Sequence, residues 1–248
     1  MMARLTSVPR LRVFAGPNGS GKSTIKADLP AALTRLFVNA DDLEQEAKST
    51  GFIDLAPFDI ATSLPELLWF HTEHYLIQTK QLTDQARQLT LLGSNVDYRA
   101  VRVNSYFASV IADFIRQRLL DTNQSFTFES VMSHPSKIEF MRQAQARGYR
   151  TYLYFVSTEN PQINIERVAI RVRAGGHPVR DDLVRSRYYR SLDLLPEAIA
   201  ASHRAYVFDN SGQCAVWLAE ITAGTQLEYR NEEIPDWFFE HYADVVEP

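Results

Sequence analysis

The sequence predicts an α/β fold: a mainly parallel, five-stranded sheet layered between helices, with a helical insertion and a C-terminal β-hairpin. Three observations predict it. Short apolar runs ending in glycine or acidic residues alternate with stretches of helical spacing, the pattern of parallel strands joined by crossover helices. The densest glycine run, FAGPNGSGKST at 14–24, lies between the first apolar run and the first helical stretch. Between the second and third strands, residues 51–124 break the alternation with longer helical spacing.

Taken in order, RLRVFAG reads as a buried strand entering a turn, and Lys22 to about Leu29 as a helix stopped by Pro30. LFVNA (36–40) is the second strand, followed by DDLEQEA, whose acids suit the first turn of a helix. GFIDLAPFDIATS reads as a loop. Leu64 to Leu92 carries helical spacing, GSN (93–95) breaks it with Gly93 as a C-terminal cap, and Tyr98–Leu120 is helical again, with Val101, Phe107, Val110, Ile111, Phe114 and Ile115 on one face. SFTFES (125–130) is the third strand, and Pro135–Arg147 a helix capped by Gly148. TYLYFVS (151–157) is the fourth strand, Pro161–Ala174 a helix ended by GGH (175–177), and 180–202 a helix kinked at Pro196. AYVFDNS (205–211) is the fifth strand, and CAVWLAEITAGTQLEYR forms two strands turning near Ala223 and Gly224. The chain reads as a single domain over 1–248, with 51–124 as a helical insertion or subdomain and 212–248 as the hairpin and a short helix.

Composition narrows the function classes. Hydrophobic residues make up 45% and charged residues 23% of 248, ordinary for a globular domain with a real core. The net charge of −4 argues against a general nucleic-acid binder. A single cysteine, Cys214, excludes an internal disulfide and fits a reducing cytoplasm. No apolar run is long enough to span a bilayer, and the basic N-terminus has no secretory cleavage pattern, so a cytoplasmic protein with no membrane partner is expected.

Gly16-x-x-x-x-Gly21-Lys22-Ser23 fits the P-loop pattern at every position and lies in the strand–loop–helix context that the pattern requires. Residues Gly16, Pro17, Asn18, Gly19, Ser20, Gly21, Lys22, Ser23 and Thr24 are therefore the predicted phosphate cradle. Its glycines free backbone N–H groups to curl around phosphate oxygens, Lys22 meets the β- and γ-phosphates, and the Ser23 hydroxyl can ligate Mg²⁺. The expected architecture is thus a three-layer α/β/α P-loop NTPase or kinase. No Asn-Lys-x-Asp segment occurs, which favours adenine over guanine.

Three further features carry chemistry. Asp41 and Asp42 follow the second strand, where a carboxylate can take the proton of an attacking hydroxyl, or can cap the next helix. Glu129 and Ser130 end the third strand, where an acid can orient Mg²⁺ through water, hold a substrate hydroxyl, or cap a helix. His134 has no metal-spaced partners and reads as a surface residue. Arg167 and Arg171 lie four apart on one helical face before a glycine pair, with Arg173 on another side. They suit a lid over a transferring phosphate, or a solvated basic face.

AGPNGSGKST, NADD, FES, RVAIRVRAGGHPV, RYYRSL and FDNS, in this order, resemble the zeta toxin family of P-loop kinases, in particular its compact bacterial branch. The matching blocks cover about residues 10–48 and 125–212. The resemblance implies an ATP- and Mg²⁺-dependent phosphotransferase acting on a small-molecule hydroxyl. The family's best-described members phosphorylate the 3′-hydroxyl of UDP-N-acetylglucosamine and pair with a small antitoxin. It further implies Lys22 and Ser23 on phosphate and Mg²⁺, Asp41 as base, and Glu129 with the neighbouring Ser130 on the sugar nucleotide. Two arginines would hold phosphates, with Arg167 and Arg171 the choice and Arg173 a competitor. Two rival readings are a nucleotide-dependent switch whose 51–124 helices contact a protein or membrane surface, and a kinase for a nucleoside, a sugar or an RNA end.

Overall fold

The computed structural model describes residues 8–34, 36–176 and 178–246; His177 of the GGH segment and the start of the basic N-terminus lie outside them. The chain divides into two compact units, Met1–Arg35 with Ser125–Pro248, and Leu36–Gln124. In chain order, the first unit opens with β1 (Arg10–Ala15), the glycine loop and α1 (Lys22–Ala27). The second contains β2 (Phe37–Val38), α2 (Ala40–Thr50), β3 (Phe52–Asp54), α3 (Leu64–Glu73), α4 (Tyr75–Thr79), α5 (Thr83–Ala86), β4 (Thr90–Leu92), β5 (Asn95–Asp97) and α6 (Ser105–Asp121). The first unit resumes with β6 (Phe126–Ser130), α7 (Ser136–Ala146), β7 (Arg150–Ser157), α8 (Pro161–Arg173), α9 (Asp181–Asp193) and α10 (Leu195–Ala200). Strand β8 (Arg204–Asp209) follows, and β9 (Val216–Thr222) and β10 (Gln226–Tyr229) form the hairpin.

The first unit is the α/β body that the sequence predicts. Its strands lie in the order β10–β9–β8–β7–β1–β6, with β6, β1, β7 and β8 mutually parallel. The apolar runs are continuous because both faces are covered: Leu11, Val13, Phe14, Phe128, Leu153, Phe155 and Val207 are fully buried. Phe14, Tyr154 and Tyr206 are register partners on adjacent strands and stack at 4.8 and 5.0 Å between ring centroids. Such pairs contribute roughly 0.5–1.5 kcal/mol each beyond area burial. The five-strand expectation is corrected: the hairpin does not stand apart but joins the sheet through antiparallel pairing of β9 with β8. Without it, β8 would present an open row of backbone donors and acceptors. Pro196 breaks rather than kinks its helix, seated in the first turn of the separate α10, where its missing N–H costs nothing.

The second unit is less helical than its sequence spacing predicts. A small antiparallel sheet, β3–β5–β4, lies inside it, so the segment read as a loop begins with a strand. Gly93 caps no helix. With φ of +63° it makes, with Ser94, the two-residue turn that sets Leu92 opposite Asn95. The long helical reading of Leu64–Leu92 divides at His74, whose backbone is extended (ψ 129°) and whose ring accepts the Leu76 N–H at 3.2 Å to start α4. The last helix begins at Ser105, not Tyr98, because the Asn104 carboxamide caps it from Tyr106 and Phe107. Its face is the core of this unit: Phe107, Val110, Ile111, Phe114 and Ile115 are fully buried. No helix among the described residues is long and apolar enough to cross a membrane.

Candidate active site

The parallel strands of the first unit end side by side, Ala15 opposite Ser130 and Phe155, and Ser157 opposite Asp209. Ligands of open parallel sheets bind beyond such carboxyl ends, and the glycine loop leaves from the end of β1. Two of its glycines are forced. A Cβ on Gly19 (φ +79°) would lie 2.5 Å from the Asn164 carbonyl oxygen, and one on Gly21 (φ +92°) 2.0 Å from the Asn210 carboxamide nitrogen. Lys22, the first residue of α1, is buried; its ammonium donates to the Gly16 and Pro17 carbonyls, both at 2.9 Å. It stands 3.7 Å from the Glu129 carboxylate. A cation held this way inside a glycine loop is placed for an anion.

A cleft of about 650 Å³ opens beside the loop. Gly19, Gly21, Lys22, Ser23, Thr24, Glu129, Arg167 and Arg171 line its polar side, and Ile25, Phe208, Ala215 and Trp217 its apolar side. The Arg167 guanidinium donates to the carbonyls of Asn210 (2.6 Å), Gly212 (3.1 Å) and Ser211 (3.4 Å). Val168, Ile165 and Val172 of the same helix pack on Val184 of α9, which turns the Arg167 side toward the cleft. Arg171 is exposed at the helix end, above a tight closure: Gly175 N–H reaches the Val172 carbonyl at 3.0 Å and Gly176 N–H the Arg171 carbonyl at 2.9 Å. This pair of bonds makes a Schellman cap, and a Cβ on Gly176 would press 2.6 Å from the Arg171 Cγ. Arg173 is exposed and does not line the cleft.

The remaining predicted residues fall elsewhere. Ser130 closes a local turn, its hydroxyl accepting the Met132 N–H at 3.0 Å. Glu129 caps no helix, since α7 starts only at Ser136, where His134 accepts the Ser136 N–H at 3.2 Å. Asp41 lies in the second unit, exposed in the first turn of α2. The cap there is Asn39, whose carboxamide oxygen accepts the Asp41 N–H at 2.9 Å, so neither Asp41 nor Asp42 has that role.

Sequence reasoning missed three groups at the loop. Asn164, fully buried on α8, donates to the Asn18 carbonyl at 2.7 Å, and its own oxygen accepts from the Thr158 hydroxyl. Asn210, one residue past β8, donates to the Ser20 carbonyl at 2.8 Å. Arg187 on α9 donates to the Asn18 carboxamide oxygen at 3.3 Å. Asn210 belongs to the FDNS block, a signal in plain view; Asn164 has no local signal, because a mid-helix asparagine reads as polar surface. The oxygen donors fit Mg²⁺: the Ser23 hydroxyl and the Glu129 carboxylate both line the cleft. Among the described residues no cluster of three or more His, Cys, Asp or Glu could hold a metal alone. Mg²⁺ carried on substrate phosphates and one or two protein oxygens needs none.

Comparison with known proteins gives the family and the fold. The zeta toxin family model matches residues 83–221, more than half the chain, which takes in Glu129, α8 and Asn210 and begins after the glycine loop. The structure of AvrRxo1-ORF1 with AvrRxo1-ORF2 and sulphate ions superimposes with a TM-score of 0.52 at 14% identity, over 92% of this chain and 62% of that one. The PezAT toxin–antitoxin system of Streptococcus pneumoniae gives 0.50 at 13% identity, over 98% and 85%. At such identities the likeness is one of fold. An uncharacterized protein of Haemophilus influenzae is 35% identical over 63 residues, 25% of this chain and 45% of that protein. The chain thus covers less than two thirds of both the Haemophilus protein and the AvrRxo1 chain.

Proposed function

Because the chain belongs to the zeta toxin family, we propose that it is an ATP-dependent phosphotransferase that moves the γ-phosphate to a hydroxyl of a small molecule, a UDP-N-acetyl sugar being the first acceptor to test. The observation that carries the reading is the buried Lys22 ammonium, held by the glycine loop beside Glu129 at the mouth of an arginine-lined cleft. A triphosphate laid in the loop meets backbone N–H groups and Lys22 at its β- and γ-phosphates, and Arg171 and Arg167 add positive charge along the wall. Ser23 and Glu129 would hold Mg²⁺, which supplies neutralisation of charge on the transferring group. Asp41 accepts the proton of the acceptor hydroxyl as its oxygen bonds to phosphorus and the bond to the departing ADP breaks. Glu129 holds the acceptor or the metal, with Ser130 shaping the turn behind it. An antitoxin that covers the cleft would be the matching partner.

Incubation with ATP, Mg²⁺ and a panel of nucleotide sugars, nucleosides and sugars, followed by mass spectrometry, tests this. A phosphorylated acceptor is expected. Phosphate release with no acceptor modified would instead make the protein a nucleotide-driven switch.

A further inference from the structure

We propose that Asn164 and Asn210 aim the phosphate loop: each holds one loop carbonyl outward so that the N–H of the same peptide unit faces the phosphate. The inference rests on the phosphate-binding reading above. The Asn18 carbonyl shares a peptide with the Gly19 N–H, and the Ser20 carbonyl shares one with the Gly21 N–H. In a planar trans peptide the C=O and N–H point in opposite directions. The Asn164 carboxamide donates to the Asn18 oxygen at 2.7 Å and the Asn210 carboxamide to the Ser20 oxygen at 2.8 Å. Both carbonyls are thereby turned out of the loop, and the N–H groups of Gly19 and Gly21 are turned in.

Both amide donors are themselves fixed. Asn164 is fully buried, and its oxygen takes the Thr158 hydroxyl, which leaves the nitrogen end for the loop. Asn210 is anchored through its main chain: its N–H donates to the Ser157 carbonyl at 2.8 Å, and its carbonyl receives Arg167 at 2.6 Å. Arg167 also grips Ser211 and Gly212, so its fork is committed to the segment that carries Asn210. Residues 164 and 167 are one turn apart on α8, and a single helical face therefore secures both halves of the loop. The glycines complete the device, because a Cβ at Gly19 or Gly21 would occupy the space of Asn164 and Asn210 respectively. On this reading Asn164, Asn210 and Arg167 are positioning residues: they organise the cradle before the nucleotide arrives, which lowers the cost of ordering it on binding.

The test uses N164L and N210L, which keep the branched shape and heavy-atom count of the side chain, remove its hydrogen bonds and add no charge, with inorganic tripolyphosphate as the probe. Affinity is measured by calorimetry and the glycine amides are followed by ¹⁵N–¹H NMR. Wild-type protein should move both the Gly19 and Gly21 amide signals on binding. N210L should weaken binding about tenfold, the size of one well-made hydrogen bond, and suppress the Gly21 response while sparing Gly19. N164L should do the reverse. Folded variants that bind as tightly as wild type with both signals moving would overturn the proposal. So would both signals failing together in each variant, since that is the mark of general loosening. Thermal melts establish that the variants are folded, and if N210L is not, the Gly19-specific outcome of N164L decides. A wild-type protein that binds no tripolyphosphate would overturn the phosphate-site reading itself, an outcome distinct from equal binding by wild type and variants.

Discussion

The polar groups around the glycine loop of the first unit and those around α3 and α6 of the second are used in opposite ways. In the first, side chains are used to leave the main chain exposed: Asn164, Asn210 and Arg167 bond to carbonyls around the loop, while Lys22, Glu129 and Arg171 face a cleft. In the second, polar side chains close on one another. His74 and Arg116 both pair with Asp113, Arg118 with Glu66, and buried His71 sits between the Leu67 carbonyl (2.8 Å) and the Tyr98 hydroxyl (3.3 Å). Around the loop, side chains brace the main chain and line a cleft, whereas around α3 and α6 they pair with one another. The proposed chemistry therefore draws mainly on the first unit, and the one part it asks of the second is the exposed Asp41 carboxylate.

The comparison can be broken in four places, from the largest effect downward. Lys22→Ala should lower phosphotransfer by about a thousandfold, since it removes the buried cation that the loop carbonyls hold. A variant within tenfold of wild type would mean that the first unit is not organised around phosphate. Asp41→Ala should cost roughly a hundredfold or more in kcat, with ATP affinity unchanged, if it is the base; intact turnover would leave the second unit with no catalytic part.

The third concerns stability in the second unit. Burial pushes His71 down from its ordinary value near 6.5 to about 4, so the folded state holds it neutral. A depressed value means that the stabilisation is complete above about pH 6.5 and is lost as pH falls toward 4, at about 3 kcal/mol in total. Denaturant midpoints across that range should fall for wild type and stay flatter for His71→Gln, which can keep both hydrogen bonds without titrating. Parallel slopes for the two proteins would mean that another group carries the acid sensitivity. The smallest effect is Gly21→Ala. Its left-handed φ costs roughly 1–2 kcal/mol, and its Cβ, 2.0 Å from the Asn210 carboxamide nitrogen, would also push that group off the loop, so ATP affinity should fall at least about tenfold in a binding titration, with the fold retained.

The first unit was largely legible because its signals are local and physically forced. Glycines at fixed spacing before a lysine admit few backbone paths, and buried parallel strands need continuous apolar runs. The hairpin was visible as two strands, but its pairing with β8 was not, because edge partners are set by tertiary packing rather than by neighbours in sequence. The second unit is least legible in sequence where its elements are shortest. Strands of three residues such as Thr90–Leu92 carry too little alternation to compete with helical spacing, and Gly93 with a positive φ serves a hairpin turn as well as a helix end. At the site, the lysine, the serine and the arginines announced themselves by type and spacing. Asn164 did not, since nothing near it in sequence records that Asn18 lies against it.

Trp217 gives the cleft its own reporter. Of the three tryptophans, Trp237 is buried with its indole N–H on Asp209, Trp69 is exposed on α3, and Trp217 alone lines the cleft, its ring 6.4 Å from Phe208 and beneath the Arg230 guanidinium at 5.0 Å. A protein carrying Trp69→Phe and Trp237→Phe would therefore emit from a single indole at the apolar wall. Its spectrum would follow the filling of the cleft in real time, without a label and without turnover.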